Sequence, residues 1–193
     1  MIEILKEKIE KSFSMNDDLW EDLQKKAKKK VVKKGEVLIS YSSNQQIISC
    51  IVAGSFEMSL INANGDQKTI WFFFDDLFDV AVCMDSYFLK EPTKYEITAL
   101  EDSVVFQITK STNDLWRSKF PLFNQYYQDS IIGDYIISTE MRNYMVAHTP
   151  KEFIVYLKEH YPIFFERTPS KRIASFMGVT PEWYSKLRRT IDN

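Results

Sequence analysis

Two cysteines, two histidines, five glycines and six prolines are all that 193 residues hold of these types. Cys50 and Cys83 are too few for a disulfide framework and too few for the roughly four thiolates of an iron–sulfur cluster. They suit a reducing cytoplasm, and Cys83 reads as a small buried hydrophobe rather than an oxidant sensor. His148 and His160 both fall in helical sequence and read as surface or packing residues, not as axial ligands of a haem. No glycine loop that would cradle a phosphate occurs, nor a metal-ligand cluster, nor a nucleophile beside a base. An enzyme is therefore not expected, and no metal site. No apolar run reaches the ~18 residues of a membrane span. The opening MIEILKEKIEK is charged and amphipathic, unlike a secretory leader, so a cytoplasmic protein without membrane contact is expected. Arginine is missing altogether before Arg117.

What the chain does have is apolar mass: 45% of its residues are hydrophobic and 15% aromatic. That suffices for one large domain and one small one. The net charge is −2, which excludes a general polyanion binder; contact with nucleic acid has to come from a local patch.

In chain order, residues 1 to about 29 read as helical, with Leu5, Ile9 and Phe13, then Leu19, Trp20 and Leu23, at helical spacing. Asn16 is placed to cap the second piece. The lysines at 25, 26, 28, 29, 30, 33 and 34 read as a solvated face. From Val31 to Ile108 the pattern is that of short strands about ten residues apart, as in a β-sandwich, roll or barrel. Gly35 marks a turn, Ile47–Val52 is a continuous apolar run ending at Gly54, and Phe56, Met58 and Leu60 alternate with polar Glu57 and Ser59. Asn64-Gly65 is a hairpin signal. Residues 76–87 interrupt the strands, with room for a short helix. A helix is expected from Thr109 to Trp116, with Thr109 or Ser111 near its start. After Pro121 a long helix runs to about Val146. Tyr127, Ile131 and Tyr135 share one row, and Ile132 and Ile136 an adjacent one. So broad an apolar surface points to packing on a second copy, with packing on its own β-domain as the other reading. Gly133 reads as a point of close approach. Thr149-Pro150 opens another helix running to Tyr161, where Pro162 ends it.

The stretch TPSKRIASFMGVTPEWYSKLRRTI, 168–191, reads as a helix-turn-helix. Thr168 is placed to cap a first helix with Pro169 at its first position, and Gly178 supplies the positive φ of the exit turn. Thr180-Pro181 repeats the start signal. Ile173, Ala174, Met177, Val179, Tyr184 and Leu187 fall where the core between the helices needs small or apolar groups. Glu182, Trp183, Lys186 and Arg189 are left on the open face, from which such a helix reads base edges in a major groove. Inward packing is the second reading of Trp183. From 168 to 193 five basic residues (Lys171, Arg172, Lys186, Arg188, Arg189) stand against two acidic ones, a net of +3.

Together these segments resemble the Crp/Fnr family of bacterial transcription regulators. KKGEVLISYSSNQQIISCIVAGSFEMSLINANGDQKTI (33–70) is similar to the family's cyclic-nucleotide-binding β-roll, with Gly35, Gly54 and Asn64-Gly65 at its turns. RTPSKRIASFMGVTPEWYSKLRR (167–189) is similar to its recognition segment. The resemblance implies an α+β chain: a cyclic-nucleotide-binding-like β-roll (double-stranded β-helix) with N-terminal helices over 1–117, a long dimerisation helix over 118–147 and a helix-turn-helix over 148–193. It implies a homodimer on a two-fold site in double-stranded DNA, RNA polymerase as a further partner, and Thr180, Glu182 and Lys186 as contacts of the recognition helix.

The effector segment departs from the family's pattern. Where the family has Phe-Gly-Glu, this chain reads Asp76-Leu77-Phe78-Asp79-Val80. Where it has Arg-Ser or Arg-Thr, the chain reads Pro92-Thr93-Lys94-Tyr95-Glu96. Phe78, Asp79, Val80, Lys94 and Tyr95 are the positions that remain of the pocket, and Lys94 lacks the bidentate fork of an arginine. Residues 75–102 carry eight acidic and two basic side chains, a net of −6, a poor field for a phosphate. Cyclic AMP is the cofactor the resemblance implies, yet its use in the family's manner is not expected; the pocket is vestigial or takes a neutral or cationic ligand. The chain stops two residues after Ile191, so no wing is expected beyond the recognition helix. The alternative is a ligand- or partner-binding module of the same fold whose helix-turn-helix is only structural.

Overall fold

The computed structural model describes residues 2–192, in two compact units: 2–58 with 72–133, and 59–71 with 134–192. The first unit opens with α1 (Ile2–Glu10) and α2 (Asp17–Lys26). Asn16 caps α2 by accepting the Leu19 N–H at 2.9 Å, and the buried Leu5, Ile9, Leu19 and Leu23 keep the helical spacing.

Eight strands follow: β1 (Lys28–Val32), β2 (Val37–Ile39), β3 (Ile47–Ala53), β4 (Ser55–Ile61), β5 (Gln67–Phe74), β6 (Val80–Ala81), β7 (Tyr95–Ala99) and β8 (Ser103–Thr109). They form two four-stranded sheets, ordered β1-β8-β3-β6 and β2-β7-β4-β5. β1 is an edge strand, antiparallel to β8 from Lys28 opposite Gln107 to Val32 opposite Ser103. Lys28–Lys30 are therefore strand, not helix. Lysines on an edge strand leave its unpaired side hydrated and discourage further strand addition. In β4 the polar positions are buried rather than outward: Glu57 and Ser59 are each 1% exposed, while Met58 and Leu60 are half-buried. Ser59 keeps its hydroxyl satisfied there by accepting the Gln67 amide at 2.9 Å. The hairpin at Asn64-Gly65 is longer than a two-residue turn, since Asn62 N–H donates to the Asp66 carbonyl across a five-residue loop. Between β6 and β7 lies a five-residue π-turn, Asp85–Leu89.

The core of this unit lies between α1, α2 and the β3/β8 face. Leu19, Leu23, Ile48, Val52, Tyr87, Phe106 and Trp116 belong to one cluster. Trp116, on α3 (Lys110–Lys119), is fully buried; its indole N–H donates to the Asp22 carboxylate at 2.6 Å. Thr109 caps α3 through the Thr112 N–H. A Cβ at Gly54 would meet the Ser103 hydroxyl at 2.0 Å, and its φ of +111° is one that side chains avoid.

α4 (Pro121–Ala147) is the long helix. Phe123 and Met141 are buried, whereas Ile131, Ile132, Tyr135 and Ile136 are all exposed. Within one chain a Cβ at Gly133 would meet nothing within 4 Å. α5 (Pro150–His160) starts with the Thr149/Glu152 capping box. A short α6 (Ile163–Arg167) follows Pro162 directly, then α7 (Ser170–Phe176) and α8 (Pro181–Asp192). The second unit buries Met141, Phe153, Tyr156, Leu157 and Phe164, and a small cluster of Ile154, Ile173, Ala174 and Tyr184, with Phe165, Met177, Val179, Leu187 and Ile191 packed against them. The tip of the β4–β5 hairpin belongs to this unit. Its Thr69 N–H donates to the Ser175 hydroxyl at 3.0 Å, and Trp71 meets Phe176 edge-on.

Candidate nucleic-acid interface

The turn between α7 and α8 is built from local hydrogen bonds. Gly178 N–H donates to the Ser175 carbonyl and Val179 N–H to the Ala174 carbonyl. With Gly178 at φ +69°, this is a Schellman closure, in which a left-handed residue lets two amides turn back onto the last helical turn. Ala174 and Val179 then share the same small core. α8 begins at Pro181, and the Thr180 hydroxyl caps it by accepting the Trp183 N–H at 3.2 Å. The start of α7 differs from expectation. Pro169, not Thr168, is its N-cap residue, without a side-chain cap bond. Thr168 is 7% exposed, its hydroxyl without a hydrogen-bond partner among the described residues. An N-cap side chain must reach the free amides two or three residues on; this one is turned into the protein instead.

With Tyr184 1% exposed, the helical period sets the opposite face of α8 outward. Glu182, Trp183, Lys186 and Arg189 are exposed there; Arg188, on the Tyr184 side, is exposed too, as are Thr180 and Lys171, while Arg172 is half-buried. Trp183 is 41% exposed, so it lies on the open face. Arg188 also donates to the Ser170 hydroxyl at 3.2 Å, which ties the far part of α8 to the beginning of α7. The outcome is one short helix presenting an acidic group, an indole edge and three cations around a rigid turn. The base-reading residue types sit on its first turns.

The segment that matches the family's effector pocket is organised differently. Phe78 is buried, with φ +55°, a left-handed backbone that a bulky side chain seldom takes. The Asp79 carbonyl accepts the Ile51 N–H at 2.7 Å, and Val80 pairs with Cys50 in the sheet. The Lys8 ammonium reaches this segment from α1. It lies 3.7 Å from the Asp79 carboxylate, donates to the Ile51 carbonyl at 3.0 Å and donates to the Asp75 carbonyl. Burial pushes the Asp79 carboxyl up, and the Lys8 ammonium opposes that rise. Lys94 and Tyr95 are held by other groups: Lys94 N–H donates to the Asp85 carboxylate at 3.0 Å and Tyr95 N–H to the Thr93 hydroxyl. The Lys94 ammonium is exposed and makes no ion pair among the described residues. The cation that serves residues 75–79 is thus Lys8, which the sequence reading missed. Its only local signal is its place beside Ile9 and three residues after Leu5, at the edge of a buried stripe. Both thiols are held protonated by burial, Cys50 up to about 12 and Cys83 up to about 11, which leaves them poor nucleophiles.

Among the described residues no group of three or more His, Cys, Asp and Glu is placed to hold a metal ion, and no helix is long and apolar enough to cross a membrane. No protein-family model matches the chain, and no curated protein matches it in sequence. Solved structures do match. The c-di-GMP responsive global regulator CLP of Xanthomonas campestris is similar with a TM-score of 0.72 at 8% identity, over 92% of each chain. FixK2 from Bradyrhizobium japonicum gives 0.68 at 13% identity, over 86% of this chain and 84% of that one. A transcriptional regulator assigned to the Crp/Fnr family from Eubacterium rectale gives 0.67 at 13% identity, over 92% and 84%. Two four-stranded sheets, a 27-residue helix and a terminal helix-turn-helix, in that order and over nearly the whole length, give this chain the fold of the Crp/Fnr transcription regulators.

Proposed function

We propose that this protein is a Crp/Fnr-type transcription regulator that binds a two-fold DNA site as a homodimer through α4. The observation that carries the reading is the α7–α8 pair: a closed small core on one side, and Glu182, Trp183, Lys186 and Arg189 exposed on the other. In this reading Glu182 accepts from a cytosine amino group, and Lys186 reaches a guanine or a phosphate. Arg188, Arg189, Lys171 and Arg172 hold backbone phosphates, and Thr180 fixes the start of the reading helix. Trp183 lies against a sugar or a thymine methyl. Two recognition helices about 34 Å apart then read successive major grooves of a near-palindrome. The functional division follows as roll over 1–117, dimer helix over 118–147 and DNA reader over 148–193.

We further propose that DNA binding does not depend on cyclic AMP. Residues 75–79 already carry their cation in Lys8, and the surrounding segment is strongly acidic. A phosphate would have to displace that pairing with no arginine to replace it. Selection from a random duplex-DNA pool, with and without cyclic AMP, tests both statements. Enrichment of one two-fold site in both conditions is expected. Enrichment only with the nucleotide overturns the second statement. No salt-dependent enrichment in either condition favours a partner-binding module whose helix-turn-helix is structural.

A further inference from the structure

The chain has four tryptophans, and the side chains of three are engaged. Trp116 is fully buried and donates to the Asp22 carboxylate, Trp20 carries the Lys6 ammonium over its ring, and Trp71 meets Phe176 edge-on. Trp183 is the exception. Among the described residues its indole makes no hydrogen bond and no ring contact, and it is 41% exposed. It stands on the first turn of α8, next to Glu182 and three residues before Lys186, a spacing that puts two side chains side by side on a helix. The backbone of that turn is already used. Pro181 has no N–H, the Trp183 N–H donates to the Thr180 hydroxyl and the Tyr184 N–H to the Thr180 carbonyl, which leaves the amide of Glu182. No cation stands between Thr180 and Ser185, and Glu182 brings a negative charge.

We propose that Trp183 reads the methyl group at C5 of a pyrimidine in the major groove, so that one position of each half-site prefers a pyrimidine carrying that methyl, thymine or 5-methylcytosine, over the same base without it. The inference rests on the DNA-binding reading and specifies what the indole adds to it. A first turn with a single free amide and no cation is a poor seat for a phosphate, and the carboxylate beside the indole repels one. The sugars lie along the same phosphate-lined edge, so this turn is set over base edges instead. There a carboxylate is matched by an exocyclic amino group, as on cytosine, and the apolar group that the groove offers an indole is the C5-methyl. Glu182 and Trp183, adjacent in the chain, then take neighbouring base pairs: the amino group of one and the methyl group of the next. Lys186, one turn on beside Trp183, keeps its guanine or phosphate.

Base analogues that differ by that one methyl test it. On the site selected by the full-length protein, thymines are replaced one at a time by deoxyuridine, and binding to the labelled duplex is followed by fluorescence anisotropy. At one position in each half-site the replacement is expected to weaken wild-type binding about fourfold, the effect of one buried methyl group. A 5-methyl group on a cytosine placed there is expected to strengthen binding by about the same factor over plain cytosine. Trp183→Ala is expected to bind the thymine and deoxyuridine sites equally, while Trp183→Phe, which keeps an apolar ring, still tells them apart. The sensitive position is expected beside the one that Glu182→Ala relaxes. Equal wild-type binding with and without the methyl at every position, or the same discrimination by Trp183→Ala, overturns the inference and leaves the DNA-binding reading intact. A methyl-sensitive position away from the one that Glu182→Ala relaxes overturns the pairing of the two side chains. No selected site at all overturns the DNA-binding reading and this inference together.

Discussion

The two compact units are built on different scales. The first packs Trp116, Tyr87, Phe106 and a row of aliphatic side chains from two helices and a sheet into one core. The second buries fewer large side chains, Phe153, Leu157, Phe164 and Tyr184 among them, and its helix-turn-helix closes over the cluster of Ile154, Ile173, Ala174 and Tyr184. A large core tolerates unusual local features, such as a left-handed Phe78 and a lysine drawn between two carbonyls and a carboxylate. A small one has little excess burial to spend, so it relies on local chemistry: the Gly178 turn, the Thr180 cap and the Thr149/Glu152 box. The difference leaves the helix-turn-helix with a shape set largely by backbone hydrogen bonds and with its outer face free for charge.

The strongest test of that contrast is Trp116→Ala. It removes the fully buried indole and should destabilise the first unit by about 3–5 kcal/mol, measured by denaturant unfolding. A loss under 1 kcal/mol would mean that the large core is not where the first unit's stability lies. Lys8→Met should follow. Stripping residues 75–79 of their ammonium leaves the Asp79 carboxylate and two carbonyls uncompensated, at a cost of about 1–3 kcal/mol, with no gain of cyclic AMP binding by calorimetry. In the second unit, Lys186→Ala should leave the unfolding midpoint unchanged. It should weaken specific DNA binding by about 1–3 kcal/mol and relax one base position; equal binding to every site would remove Lys186 from the reading set. Gly178→Ala forces a Cβ into φ +69°, though with open space around it. The expected cost is about 1–2 kcal/mol of left-handed backbone strain, read as a lower melting temperature of the helix-turn-helix.

The smallest effect concerns acid. The hydrogen bonds from Lys26, and next from Trp116, hold the Asp22 carboxyl below its usual 3.8. A carboxyl lowered by folding contributes stability above the unfolded value and loses it as pH falls through the folded one. Wild type should therefore lose stability faster than Asp22→Asn below about pH 4. Parallel acid profiles would show that the Asp22 contacts add no linkage.

Most of the fold was legible in the chain itself because its signals are local. Asn16, Thr109 and Thr149 cap the helices they were expected to cap, and the glycines at 35, 54, 65 and 178 all take positive φ. The readings that failed are those in which neighbours distant in sequence decide. Lys28–Lys30 have helix-compatible side chains, yet pairing with Val105–Gln107 makes them strand. Glu57 and Ser59 alternate as outward residues should, yet both are buried. Thr168 has the composition of a cap and turns inward. α6 is only five residues long, too short to produce a period.

The candidate interface divides in the same way. Tyr184 inward with Glu182, Trp183, Lys186 and Arg189 outward follows from the 3.6-residue period and from Gly178 and Thr180, so the sequence by itself determined which side chains α8 presents. It also determined that residues 75–80 lack the glycine and the glutamate of the family's effector turn. Only the tertiary structure decided that Lys8, some seventy residues away in sequence, is the cation that meets that segment, and that Lys94, which the sequence had placed there, is held elsewhere through the Asp85 carboxylate. The reason is physical: caps, turns and periodicity are written within a few residues, whereas the partner of a charge is chosen by which surfaces the hydrophobic core brings together.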